Sequence, residues 1–227
     1  MAVTGTSKAT KRVRSSAPNP LDARATELRL FALPVETRVP LKFGTETLTS
    51  VICFRTCVTV EGRDGRTAIG WGETPCSVQW VWPSNLGYER RLELLTQLHQ
   101  KIAAAWVSFE EFGHPLEVGY DFQQQVLPTL LAEFNANLEP EWHVPYLAAL
   151  LCCAPIDTAM HDAYGRLHQL PVYETYTGPF LSRDLATFLH DDGLVDVDFS
   201  GKYPSDYLSR PDGTKLSAWH LVGGLDP

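Results

Sequence analysis

Residues 51–75 read VICFRTCVTVEGRDGRTAIGWGETP, and the period of that stretch decides the fold. Ile52, Phe54, Val58 and Val60 fall on one face of an extended chain, while Cys53, Arg55, Cys57 and Thr59 alternate onto the other. The run 61–66, with Asp64-Gly65 suited to positive φ, turns the chain, and residues 67–73 return as a second strand. Working backwards, residues 28–35 form a strand whose Pro34 marks an edge or a bend. Between them, residues 36–49 carry Pro40, Gly44 and four Thr and are expected as a loop. Three strands in an antiparallel meander result.

Downstream, a loop at 74–87 holds Trp80 and Trp82 between Pro75 and Pro83. After it the period changes from 2 to 3.6. Leu92, Leu95, Leu98, Ile102, Trp106 and Phe109 make one apolar stripe, which predicts an amphipathic helix. A second helix is expected over 115–137, with Phe122, Val126, Leu130 and Phe134 on one face and a bend at Pro128. The third, 145–168, is apolar nearly all round and so is the most buried; Pro155 should kink it. The class is α+β, a meander followed by a helical bundle. Residues 179–227 read as an irregular acidic connector ending in one short strand at 216–222. A lone apolar strand leaves its backbone groups unpaired unless something covers them.

The chain has 227 residues, 44% apolar and 20% charged, which excludes a disordered chain or a coiled coil. No apolar run approaches the ~18–20 residues that a membrane span needs. A formal charge of −8 argues against nucleic acid as a partner. Within residues 1–24, Lys8, Lys11, Arg12, Arg14 and Arg24 face only Asp22, which leaves −12 for the rest. Residues 1–26 therefore read as a solvated, disordered basic tail; an organelle transit peptide would share that composition. The five cysteines are odd in number and have no C-x-x-C pair. Free thiols and a cytoplasmic location follow.

Two runs and their order carry a resemblance. The hairpin ends in Gly70-Trp71-Gly72-Glu73, and the third helix reads APIDTAMHDAYGRLHQLPVYETYTG over 154–178, with Asp157 and Asp162 five apart. Three strands, a helical bundle, a connector and a lone strand in that order resemble the N-terminal capping domain of the enolase superfamily, in particular the mandelate racemase and muconate lactonizing enzyme group. His161 departs from the large aromatic residue usual there, Tyr176-Thr177-Gly178 from the usual ending, and Pro155 is an unusual guest.

The resemblance implies a division at residues 27–178 for the cap. It implies chemistry in a following (β/α) barrel, where a Lys or His base removes the proton α to a carboxylate and Mg²⁺ stabilises the enediolate. A barrel needs about 200–250 residues, and 49 follow Gly178. The expectation is a cap with at most one barrel strand, carrying neither metal ligands nor base, inactive alone. Its barrel partner is supplied in cis or in trans, its substrate is a small carboxylate or acid sugar, and Mg²⁺ belongs to the intact enzyme, an isomerase or lyase. A stand-alone binding module and half of a split enzyme are the rival readings.

In that family the loops corresponding to 36–49 and 74–87 reach over the barrel mouth. Lys42, Phe43, Gln79, Trp80 and Trp82 are thus the candidate substrate-specificity residues, Lys42 to attract a carboxylate and the aromatics to wall a pocket; packing against the helices is the alternative for the aromatics. Asp157 and Asp162, about 140° apart on a helix, suit structural bonds better than one metal. Glu73 suits a paired carboxylate. The seven His are scattered without H-E-x-x-H, and His161 and His168, seven apart, miss the i, i+4 spacing of a metal pair.

Overall fold

A computed structural model of the chain describes residues 18–43, 46–189 and 197–209. Three strands, β1 (Ala23–Phe43), β2 (Glu46–Gly62) and β3 (Thr67–Pro75), form one antiparallel sheet in the order β1-β2-β3. Five helices follow: α1 (Val78–Val81), α2 (Tyr88–Ser108), α3 (Pro115–Gln125), α4 (Leu127–Asn135) and α5 (Tyr146–His168). The α+β class and the meander are as the sequence reads. The expected strand at 216–222 and most of the basic tail lie outside the described residues.

β2, the central strand, is buried on both faces, Cys53 and Cys57 lying opposite the apolar row. Phe54, Val58 and Val60 are buried in the core shared with the helices. The turn after β2 places Gly65 at φ +80, the left-handed region that glycine enters without a Cβ clash. β1 begins at Ala23, five residues before the expected start, because Ala23 and Ala25 are core residues and Ala23 pairs with Gly113. Asp22, just ahead, pairs with Arg63 at 3.0 Å.

Residues 36–49 correct the expectation of a loop. β1 and β2 run on as a two-stranded ribbon, pairing Leu41 with Leu48, Lys42 with Thr47 and Phe43 with Glu46. Four Thr suit extended backbone, and the Thr37 hydroxyl donates to the Thr49 carbonyl across the ribbon at 3.2 Å. Pro40, which has no N–H for a ladder, falls within the irregularity between Glu36 and Leu41. Pro34 sits on the edge strand, where a missing donor costs no sheet bond.

The second helix is also corrected. It is two helices, α3 and α4, parted at Val126 rather than one helix bent at Pro128. Pro128 occupies the first turn of α4, where an intrahelical donor is not needed. His114 caps α3, its ring accepting from the Leu116 N–H.

The seam between β3 and α5 explains the Gly-Trp-Gly run. A Cβ on Gly70 would stand 2.1 Å from the Ala163 nitrogen, and one on Gly72 2.1 Å from the Pro155 carbonyl oxygen. Strand and helix meet backbone to backbone there. Small residues at 155, 159 and 163 of α5, one turn apart, provide the opposing surface. Pro155 stays inside the helix, fully within its length. Between the glycines, Trp71 turns to the other face of the sheet, where its ring lies 5.8 Å from Phe31; its backbone N–H donates to Asp162 Oδ2 at 2.9 Å.

After α5 the chain turns at Gln169, which takes a positive φ of 56, and enters a short 3-10 turn at Val172–Thr175. Residues 179–189 are irregular but anchored. Arg183 reaches α3, its guanidinium pairing with both oxygens of Asp121 at 2.8 and 2.9 Å, and its backbone N–H donates to Glu117 Oε1 at 2.7 Å.

Candidate functional site

Both loops singled out from the sequence leave the same end of the sheet. β3 ends at Pro75 opposite Cys53, and the ribbon continues β1 and β2 past Val51 in that direction. The ladder persists one step into the second loop, where the Cys76 N–H donates to the Ile52 carbonyl at 2.7 Å. One helical turn, α1, then sorts its residues by direction. Val78 and Val81 point into the core. Trp82 joins them at 5% exposure, and its carbonyl accepts from the buried Arg91. Trp80 faces solvent at 65% exposure and Gln79 is half-buried. On the ribbon, Val39 (60% exposed) and Leu41 stand in water beside the exposed Lys42. Of the five candidates, then, Trp82 is a core residue, Trp80 and Lys42 are surface residues, Gln79 lies between, and Phe43 ends the ribbon ladder. Glu73 forms an ion pair with Arg55 across the sheet.

A second site lies on the opposite end of α5. A groove of about 680 Å³ runs between that helix and the segment after it, lined by Asp157, His161, Asp162, Arg166, Tyr173 and Tyr176 among others. Its titratable groups are strongly perturbed. Burial holds the His161 imidazole down at about 4 and pushes the Asp157 carboxyl up to about 6. The Tyr176 hydroxyl lies 2.9 Å from His161 Nδ1, and burial raises that phenol to about 12. The other ring nitrogen of His161, Nε2, lies 3.9 Å from Asp157 Oδ2.

Behind the groove stands His114, held down to about 2 by burial and then by the charges of His161 and His168. Its ring nitrogens are both engaged, Nδ1 by the Leu116 N–H and Nε2 by Thr175 Oγ1 at 3.0 Å. The scattered histidines of the sequence thus converge: rings 114 and 161 are 5.9 Å apart, and Tyr164 touches both His114 and His168. Their spacing gave no signal of this. Gly119 did carry one, because a Cβ there would meet Asp157 Oδ1 at 2.4 Å, so a glycine inside α3 marks where that carboxylate sits.

Asp162 accepts from Arg166 and from the Trp71 N–H, the structural bonds expected of it. With Glu73, Asp22, Asp121 and Glu117 also engaged with arginines, no group of three or more His, Cys, Asp or Glu among the described residues could hold a metal ion. The Mg²⁺ implied by the resemblance therefore finds no fitting donor set in them. All five thiols are free and buried, and burial raises Cys76 and Cys153 to about 12. No helix among the described residues is long and apolar enough to cross a membrane.

The chain is similar in fold to enolase-superfamily structures. One is an enolase from an alpha proteobacterium, BAL199, with bound magnesium, at 10% identity over 67% of this chain and 34% of that one, with a TM-score of 0.44. Another is an enolase from Bradyrhizobium complexed with magnesium and mandelic acid, at 18% identity, the same coverage of 67% and 34%, and a TM-score of 0.39. A third is the L-talarate/galactarate dehydratase from Salmonella typhimurium LT2, at 16% identity over 77% and 38%, with a TM-score of 0.37. The chain spans about a third of the length of these structures. No protein-family profile and no curated protein matches it.

Proposed function

We propose that this chain is the substrate-capping portion of a mandelate racemase/muconate lactonizing-type enzyme. In the complete enzyme, a (β/α) barrel in cis or in trans holds Mg²⁺ and the base and removes the proton α to a carboxylate of a small acid or acid sugar. The cap contributes no base and no metal ligand. It closes the mouth and selects the substrate.

The observation that carries this reading is the shared exit of the ribbon and the α1 loop from one end of the sheet, with Val39, Leu41 and Trp80 exposed there and Lys42 beside them. Apolar side chains of that size held in water on two adjacent projections suit a surface that closes on something. A lysine ammonium among them suits a carboxylate. The support from sequence is the ordered pair of motifs, Gly70-Trp71-Gly72-Glu73 and the 154–178 helix, whose seam is a backbone-level contact.

Solvent-exchange measurements test it. With Mg²⁺ in D₂O, the 227-residue chain alone leaves the α-proton of mandelate and of hexarates in place, while the chain joined to or mixed with its barrel exchanges it. Turnover by the chain alone that a chelator abolishes would overturn the reading.

A further inference from the structure

The groove on α5 has a carboxylate that its neighbours leave unsatisfied. Among the described residues, Asp157 has one ionisable partner within 4 Å, His161, and at 3.9 Å that contact is too long for a hydrogen bond. His161 is a neutral ring here, so it supplies no compensating charge. The adjacent carboxylate, Asp162, is by contrast fully engaged by Arg166 and by a backbone N–H. Among the described residues the groove therefore carries one net negative charge, on Asp157 and half-withdrawn from water.

The walls narrow what can answer that charge. Tyr173, 70% exposed, and Tyr176 stand 5.8 Å apart edge to face beside the carboxylate, and Asp157 is close enough to Tyr176 to disfavour its phenolate. Leu170, Pro171 and Val172 complete an apolar wall. An aromatic face attracts a cation, a carboxylate pairs with it, and an apolar wall covers an aliphatic stem. Among the described residues the groove offers too few ligands for a metal ion, and its charge disfavours an anion.

We propose that this groove is a binding site for an organic cation, an alkylguanidinium or alkylammonium group. The head of the ligand pairs with Asp157 Oδ2 against the exposed ring of Tyr173, and its methylene stem lies along Leu170 and Val172. An arginine or lysine side chain of a peptide and a free small-molecule cation share this chemistry. The site is separate from the ribbon end of the molecule and does not depend on the capping role, so either proposal can fail without the other.

The test is titration of the complete chain, followed by calorimetry and by amide chemical shifts, with n-butylguanidinium and with the peptide acetyl-Ala-Arg-Ala-amide. The peptide carrying citrulline in place of arginine, which is neutral and nearly isosteric, is the control. Both cations are expected to bind and to shift Thr158, Gln169 and Tyr173, and the citrulline peptide to bind at least tenfold more weakly. Binding by the arginine peptide alone assigns the site to a peptide side chain, and binding of both at similar strength assigns it to cations in general. Asp157→Asn should weaken binding at least tenfold. Tyr173→Leu, at an exposed position that does not hold the fold, should weaken it several-fold and serves if the Asp157 variant folds poorly. Equal binding of arginine and citrulline peptides, unchanged binding by both variants, or no binding of either cation overturns the proposal.

Discussion

The β3–α5 seam and the ribbon end are built on opposite rules. At the seam Gly70 and Gly72 face Pro155, Ala159 and Ala163, and strand and helix touch through their backbones. At the ribbon end the large side chains of Val39, Leu41 and Trp80 keep about half or more of their surface in water. A close-packed seam transmits any added atom as strain. An exposed projection absorbs substitution with little effect on folding. The contrast separates residues that make the domain from residues free to serve another purpose, and it can be tested from either side.

The largest effect belongs to the seam. Gly70→Val places its Cβ 2.1 Å from the Ala163 nitrogen, and that neighbour is backbone, so the helix itself must move. The expected loss exceeds the ~4 kcal/mol beyond which a single substitution is exceptional, and the cooperative thermal transition should disappear. Gly119→Ala meets Asp157 Oδ1 at 2.4 Å instead, the end of a side chain that can rotate. Its melting temperature should fall much less. If Gly70→Val melts like the native chain, the seam is not a backbone contact.

The next effect concerns how residues 179–189 are held. Arg183→Met removes the partner of Glu117 and Asp121 and leaves the nearly buried Glu117 carboxylate, already raised by desolvation, without its guanidinium. Breaking a buried pair by removing one member costs about 3–5 kcal/mol. Arg183 is partly exposed, which places the expectation at or below the lower end. Hydrogen exchange should quicken in residues 179–189 and at the start of α3, while β2 and β3 keep their protection.

Acid should unfold the helical end before the sheet is directly affected. His161, held at about 4 against 6.5 when free, is neutral in the fold. Its contribution is complete above pH 6.5 and is lost as pH falls from 6.5 through 4. His114, held at about 2, acts in the same direction over a wider range. Asp157, raised to about 6 from 3.8, has the opposite sign, since its stabilising protonated form is lost as pH rises from 3.8 through 6. The groups around Asp157 and His161 are Cys153, Asp162 and Arg166 on α5, His114 at the cap of α3, and Tyr173 and Tyr176 after the helix. The histidines outnumber the carboxyl, so the melting temperature should fall by about 10 °C or more between pH 7 and pH 4. Asp157→Asn should steepen that fall by removing the opposing carboxyl, and an unchanged profile would show that His161 and Asp157 are not buried in the fold.

How much of this was legible follows the same division. The period of residues 52–60 fixed β2, the stripe from Leu92 to Trp106 fixed α2, and the near-uniform apolar run fixed α5 as the central helix, because burial of a face writes itself into spacing. The ribbon at 36–49 was missed because Pro40 and Gly44 resemble loop punctuation, although Pro40 sits in an irregular step of the ladder that needs no donor. The break at Val126 was misplaced because proline reads as a breaker although the first turn of a helix tolerates it. Trp80 and Trp82 were indistinguishable by type, and only the direction of one helical turn sends the second into the core. The groove was least legible. His114, His161 and Tyr176 meet through tertiary packing of α3, α5 and the turn after it, and no interval along the chain encodes that meeting.

The smallest effect on folding is the most informative about the exposed end. Trp80→Ala and Lys42→Ala remove side chains that contact water, so each should change stability by no more than ~0.5 kcal/mol and leave the melting curve of the chain in place. If the end serves as a substrate cap, the same two changes should act on a complete enzyme carrying this chain, with kcat nearly constant and KM for the carboxylate raised, more for Lys42→Ala when the substrate bears a second carboxylate. A uniform rise in KM with unaltered kcat is the signature of binding lost equally from ground and transition states, which is what a cap that holds but does not react should give. If kcat falls instead while KM stays, these residues act in the chemical step and the cap is more than a cover. If neither constant moves although Trp80 is gone, the exposed apolar surface at this end answers to some other partner, and the comparison with the seam would then mark an interface rather than the mouth of a site.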